Sequence, residues 1–227
     1  MFATTPGTTD ITERAVTVRS GDVDLEADLA VPENARGIVM FAHGSGSSRH
    51  SSRNRFVAEV LRLGGLGTLL LDLLTPGEEE IDLRTRHLRF DIGMLAGRLV
   101  GATSWLETQK ETRGLPIGLF GASTGGGAAL VAAAERPNAI SAVVSRGGRP
   151  DLADDYLPRV RVPTLFIVGG DDDVVIDLNR QAMARMIAPV ELRIVPGASH
   201  LFEEPGTLEQ VATLARDWLL NHLGASS

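Results

Sequence analysis

Short apolar runs alternate with amphipathic stretches along almost the whole chain. Residues 15–19 and 23–31 alternate apolar and polar positions around Gly21-Asp22, the pattern of an antiparallel hairpin with one face covered. The run 37–42 (GIVMFA) is apolar without interruption and leads into Gly and Ser, as expected of a strand buried on both faces. Residues 54–63 carry helical spacing and stop at Gly64-Gly65, and 67–74 (GTLLLDLL) is another buried strand. The spacing then predicts a long amphipathic helix over 91–109, ended by Gly114 and Pro116, a strand over 115–120, and an Ala-rich helix over 126–135 stopped before Pro137. Further on, 139–145, 162–168 and 191–195 read as strands and 177–187 and 207–222 as helices. Thr207-x-x-Gln210 has capping-box spacing at the start of the last one.

Strands alternating with helices imply an α/β fold. The expected sheet is mostly parallel, of about eight strands, with helices on both faces and the antiparallel hairpin at one edge. Composition bounds the rest. The 227 residues suit one domain over 13–227, preceded by a Thr-, Pro- and Gly-rich lead-in over 1–12 that is expected to be mobile. A net charge of −7 argues against nucleic acid and anionic membranes as partners, because both would be repelled on average. There is no cysteine, so no disulfide, thiolate metal site or cysteine nucleophile can form. The N-terminus lacks a basic segment followed by an apolar one, and no apolar run is long enough to span a bilayer. The expected setting is the cytoplasm.

In such a sheet, sites form beyond the carboxyl ends of the strands. Four loops fall there: His43-Gly44-Ser45-Gly46-Ser47, Gly121-Ala122-Ser123-Thr124-Gly125, Gly169-Gly170-Asp171-Asp172-Asp173 and Pro196-Gly197-Ala198-Ser199-His200. The second matches G-x-S-x-G. That motif puts a serine on a turn so tight that its neighbours must be small. A serine hydroxyl is a weak nucleophile; it needs a base, and the base needs an acid to fix its tautomer. Chain order supplies Ser123, an Asp within 171–173, and His200. Of the five histidines only His200 follows the last strand; His43 sits in a turn and reads as structural. The backbone N–H groups of Thr124 and Ser45, with Gly46 second, are the candidates for stabilising an oxyanion. Phosphate-loop lysine spacing and the calcium-loop pattern are both absent, and the chemistry calls for no cofactor or metal.

With these residues in place, the chain resembles an α/β-hydrolase of the dienelactone-hydrolase-like branch. The resemblance rests on HGSGSS at 43–48, GASTGGG at 121–127, SRGGRPDLA at 145–153, VGGDDDVV at 168–175 and PGASHLFEEPG at 196–206. It spans nearly the whole chain from about Val23. The Gly-Gly-x-Asp pattern of related hydrolases implies Asp172 as the acid, with Asp171 and Asp173 as loop or helix-capping residues. Some relatives carry a fused phosphoribosyltransferase domain, for which this chain has no room. Dienelactone hydrolase uses a cysteine nucleophile where this chain has Ser123, which favours a serine hydrolase of small esters or lactones.

Two readings compete for the rim arginines. Arg49, Arg53, Arg84, Arg86, Arg89, Arg146 and Arg149 fall on segments expected near the site. They can form a pocket for an anionic substrate, with Arg146, Arg149 and Arg86 foremost, or simply pair with nearby acids. Local pairing is the commoner arrangement. The short connection between Ser145 and Val162 leaves no room for a large lid, so an open site for short-chain esters is expected. Alternatives on the same residues are a thioesterase or acyl-transferring enzyme, and a non-catalytic ligand-binding module. The oligomeric state is not legible.

Overall fold

A computed structural model describes residue 11 and residues 13–223; apart from Ile11, the lead-in expected over 1–12 lies outside the described residues. Eight strands form one sheet in the order β1-β2-β4-β3-β5-β6-β7-β8. β1 (Glu13–Ser20) and β2 (Val23–Ala30) are the expected hairpin, and β2 also runs antiparallel to β4 (Gly67–Leu71). Every other pairing is parallel, through β3 (Ile38–Ala42), β5 (Ile117–Ala122), β6 (Ile140–Arg146), β7 (Thr164–Gly169) and β8 (Val190–Val195).

The uninterrupted apolar runs are explained by a core on each face. Along β3, Ile38, Met40 and Ala42 join one core, while Val39 and Phe41 join the other. Successive side chains on a strand point to opposite faces, so both parities must be apolar. The first core is covered by α3 (Ile92–Thr108), α4 (Thr124–Glu135) and part of α5 (Asp173–Met183). The second is covered by α1 (Ser52–Leu63) and α6 (Thr207–Leu223), and includes Phe41 and Phe120 with ring centroids 4.9 Å apart. No helix among the described residues is long and apolar enough to cross a membrane.

The structure moves three expectations. A helix not foreseen, α2 (Pro76–Thr85), starts with Thr75 and Glu78 in a reciprocal capping box and Pro76 in its first turn. α5 starts at Asp173, one turn ahead of the expected 177, because Asp172 takes the N-cap position and Asp173 sits favourably at the positive helix end. The box expected at Thr207 does not form: the helix already includes Thr207, whose hydroxyl donates to the Glu204 carbonyl at 2.7 Å. Between β6 and β7 the segment Pro150–Arg159 forms two short 3-10 turns separated by a kink at Asp154, and there is no large lid.

Candidate active site

β5 delivers Ser123 into α4 through a sharp turn. Ser123 has φ 51° and ψ −122°, a conformation that costs a non-glycine residue of order 1–3 kcal/mol and persists only where its surroundings hold it. The holding is visible. Its N–H donates to the Arg146 carbonyl at 3.2 Å, and its carbonyl accepts from Gly126 and Arg149 at 2.9 and 3.1 Å. A Cβ at Gly121 would lie 2.5 Å from the Gly125 carbonyl oxygen, and one at Gly125 would lie 2.2 Å from that of Ala42. Both glycines are therefore required by backbone approaching backbone.

β7 and β8 supply the other two groups. Asp172 stands at the N-cap of α5 yet makes no capping bond with its side chain. Its Oδ2 instead lies 2.6 Å from His200 Nδ1. An ionised carboxylate only accepts, so Nδ1 carries the proton and Nε2 is left as a base. His200 is half-buried and shares a cleft of ≈ 240 Å³ with Ser123. The Ser123 hydroxyl makes no hydrogen bond to the imidazole here; such bonds often tighten only when substrate is bound.

The loop 43–48 borders this cleft and also a smaller cavity of ≈ 30 Å³, which Thr124 lines as well. Thr124 begins α4, where helix N–H groups lack helical acceptors, and Ser45 lies in the turn after β3. His43 anchors that turn. Its Nε2 accepts from the Leu73 N–H at 3.1 Å and its Nδ1 donates to the Gly44 carbonyl at 3.0 Å. Burial lowers its pKa and keeps it neutral, against smaller opposing contributions from Gly44 and nearby acids. Its role is structural, as expected.

Several supporting groups were not foreseen. Glu204 accepts from the Ser199 N–H at 3.0 Å, which fixes the loop carrying His200; the Ser199 hydroxyl first, and this N–H second, hold the Glu204 carboxyl below its usual range. Buried Asn179 donates to the Gly148 carbonyl at 3.1 Å and so steadies the 145–149 turn. Within that turn Gly147, at φ 51°, passes beside the imidazole; a Cβ there would lie 3.4 Å from His200 Cε1.

The arginines divide. Arg49 pairs with Asp72 and with Glu26, and Arg89 with buried Asp82. Arg149 makes a two-pronged bond to Asp151 at 2.8 and 2.7 Å and does not line the cleft. Arg86 is exposed, ends α2 in a left-handed conformation and also lies away from the cleft. Of the three foremost candidates only Arg146 lines it. Arg146 is 7% exposed, and burial together with the nearby Arg53 charge draws its pKa down to about 10. Among the described residues no cluster of three His, Asp or Glu side chains is spaced to hold a metal ion.

The sheet order and the placement of helices are those of the α/β-hydrolase fold. The chain belongs to the dienelactone hydrolase family, whose model matches residues 25–221. The crystal structure of dienelactone hydrolase from Anabaena variabilis is 62% identical, with a TM-score of 0.92 over 94% of this chain and 99% of that one. A Mycobacterium tuberculosis protein named "Putative phosphoribosyl transferase" is 60% identical over 211 residues, which is 93% of this chain and 47% of the relative. The chain thus spans about half the length of the curated relatives it matches. Est1E from Butyrivibrio proteoclasticus, 16% identical, shares the fold with a TM-score of 0.76 over 91% of this chain and 98% of that one.

Proposed function

We propose that this chain is a serine hydrolase that cleaves small carboxylic esters or lactones through an acyl-enzyme on Ser123. The observation that carries the reading is the 2.6 Å bond from Asp172 to His200 on the cleft that also exposes Ser123 at its strained turn. In this mechanism His200 Nε2 takes the Ser123 proton as Oγ attacks the carbonyl carbon. Asp172 stabilises the imidazolium that forms. The developing oxyanion is met by the N–H groups of Thr124 and Ser45, backbone donors of the kind that stabilise such charge with little reorganisation. The imidazolium then protonates the leaving alkoxide. A water activated by His200 attacks the acyl-enzyme, and Ser123 recovers its proton.

The absence of a large lid and the modest cleft favour short acyl groups. The transferase name of the M. tuberculosis relative belongs to a protein about half of which lies outside the match. The reading is tested by hydrolysis of p-nitrophenyl acetate, butyrate and palmitate and of small lactones. Turnover of the short substrates that disappears in Ser123→Ala supports it. Turnover that persists in Ser123→Ala, or none in folded wild type, overturns it.

A further inference from the structure

Arg146 is a buried rim arginine whose surroundings, among the described residues, defeat the pairing explanation. It is buried, its Nε and Nη1 atoms have no hydrogen-bond partner, and it forms no ion pair among the described residues. Its guanidinium rests 5.8 Å from the centre of the Phe202 ring. The cation facing it is Arg53, whose pairing with Glu203 is long, at 3.4 Å. Both arginines line the cleft of Ser123 and His200, and no carboxylate is among its lining residues. In a chain of net charge −7 this is a locally cationic pocket.

A second observation points the same way. The cleft is also bordered by Ser51, Arg53 and Asn54, at the N-terminus of α1. A helix N-terminus favours acidic residues, yet the first turn of α1 has none and places Arg53 there instead. Cations at the positive end of a helix, beside an unpartnered buried guanidinium, cost stability unless something negative joins them. Among the described residues no carboxylate supplies that partner at the cleft.

We propose that Arg146, Arg53 and the N-terminus of α1 form a subsite for an oxyanion carried by the substrate, a carboxylate or phosphate group a few bonds from the carbonyl that Ser123 attacks. Arg146 shares its backbone with the nucleophile's support, since its carbonyl holds the Ser123 N–H. An anion on its guanidinium is therefore fixed relative to the reacting atom. A planar guanidinium with free donors matches either oxyanion in a forked geometry. The subsite rests on the reaction proposed above but makes a separate claim, because it can bind an anion whether or not Ser123 reacts.

Two measurements test it. The first is kcat/KM for the p-nitrophenyl esters of butyrate, of succinate with one free carboxylate, and of phosphonopropionate. Wild type should favour an anionic ester over the neutral one. Arg146→Met should lower that ratio by roughly tenfold to a hundredfold, the worth of a charge-assisted hydrogen bond, and Arg53→Gln should lower it less. The larger of the two anionic ratios identifies the oxyanion. Arg193→Gln, on exposed β8, serves as the unaffected control. The second is the rise in Tm with inorganic phosphate or acetate, which does not depend on catalysis. It should be present in wild type and lost in Arg146→Met, and Arg146→Met alone should not lower Tm as loss of a structural ion pair would. Anion binding without ester turnover would keep the subsite and remove the reaction class. A ratio unchanged in both arginine variants, with no Arg146-dependent anion binding, would overturn the subsite while leaving the hydrolase reading intact.

Discussion

Replacing Gly125 by Ala sets two effects of opposite sign against each other. Gly125 lies in the first turn of α4, and Ala is the better helix former by up to about 1 kcal/mol. Propensity alone therefore predicts a more stable protein. The structure predicts the reverse. The added Cβ would sit 2.2 Å from the Ala42 carbonyl oxygen and 2.6 Å from that of His43. Both obstacles are backbone, so no rotamer change relieves them, and the end of β3 must move away from α4. Overpacking of this kind costs about 3 kcal/mol, which leaves a net loss of about 2 kcal/mol. For a domain of this size that is a fall in Tm of about 4–8 °C. The displacement falls on the turn bearing the Ser45 N–H, so ester turnover should drop further than the population of folded protein does. Gly97 supplies the comparison. It is exposed within α3, and a Cβ there meets nothing within 4 Å. Gly97→Ala should raise stability by about 0.5–1 kcal/mol. Urea unfolding of both variants decides the matter. A Gly125→Ala protein as stable as wild type would refute the claim that backbone contact dictates the elbow glycines.

Two further predictions follow from the site. Asp172→Asn should keep the fold but lower kcat by about three to four orders of magnitude, measured on a short p-nitrophenyl ester, because an amide no longer enforces the productive imidazole tautomer; a loss below tenfold would contradict the assigned role. His43 is held neutral by burial, with a folded-state pKa below the 6.5 of the unfolded imidazole. Its contribution is therefore complete above about pH 6.5 and declines as pH falls, until the folded-state pKa is reached. Unfolding free energies measured against pH should show this decline with a slope of up to about 1.4 kcal/mol per pH unit. His43→Gln should remove that component, and an unchanged slope would count against it.

The parallel strands were readable because a strand buried on both faces is apolar along its length, as β3 is throughout and β4 is apart from the buried Thr68. The meeting of Ser123 and His200 on one cleft was readable for a related reason: a turn this tight demands small neighbours, and loops at strand ends converge on one rim. α2 escaped notice because Gly77 and the acids at 78–80 suggest a polar loop, although Thr75-Pro76-x-Glu78 carries a helix start in full. At Thr207 the same kind of spacing misled, since the chain was already helical there. The arginines mark the limit of local reading. Arg146 and Arg149 lie three residues apart, with Asp151 near both in sequence. One is paired and the other buried alone, and that difference is set by which strand end meets which loop.

The central claim is that Ser123 is an activated nucleophile, and intact-mass analysis after exposure to a fluorophosphonate tests it most directly. A single adduct on wild type, absent from Ser123→Ala and formed far more slowly by His200→Ala, is the predicted result. An unmodified wild-type protein that is folded by circular dichroism, or an adduct that survives in Ser123→Ala, would contradict the account.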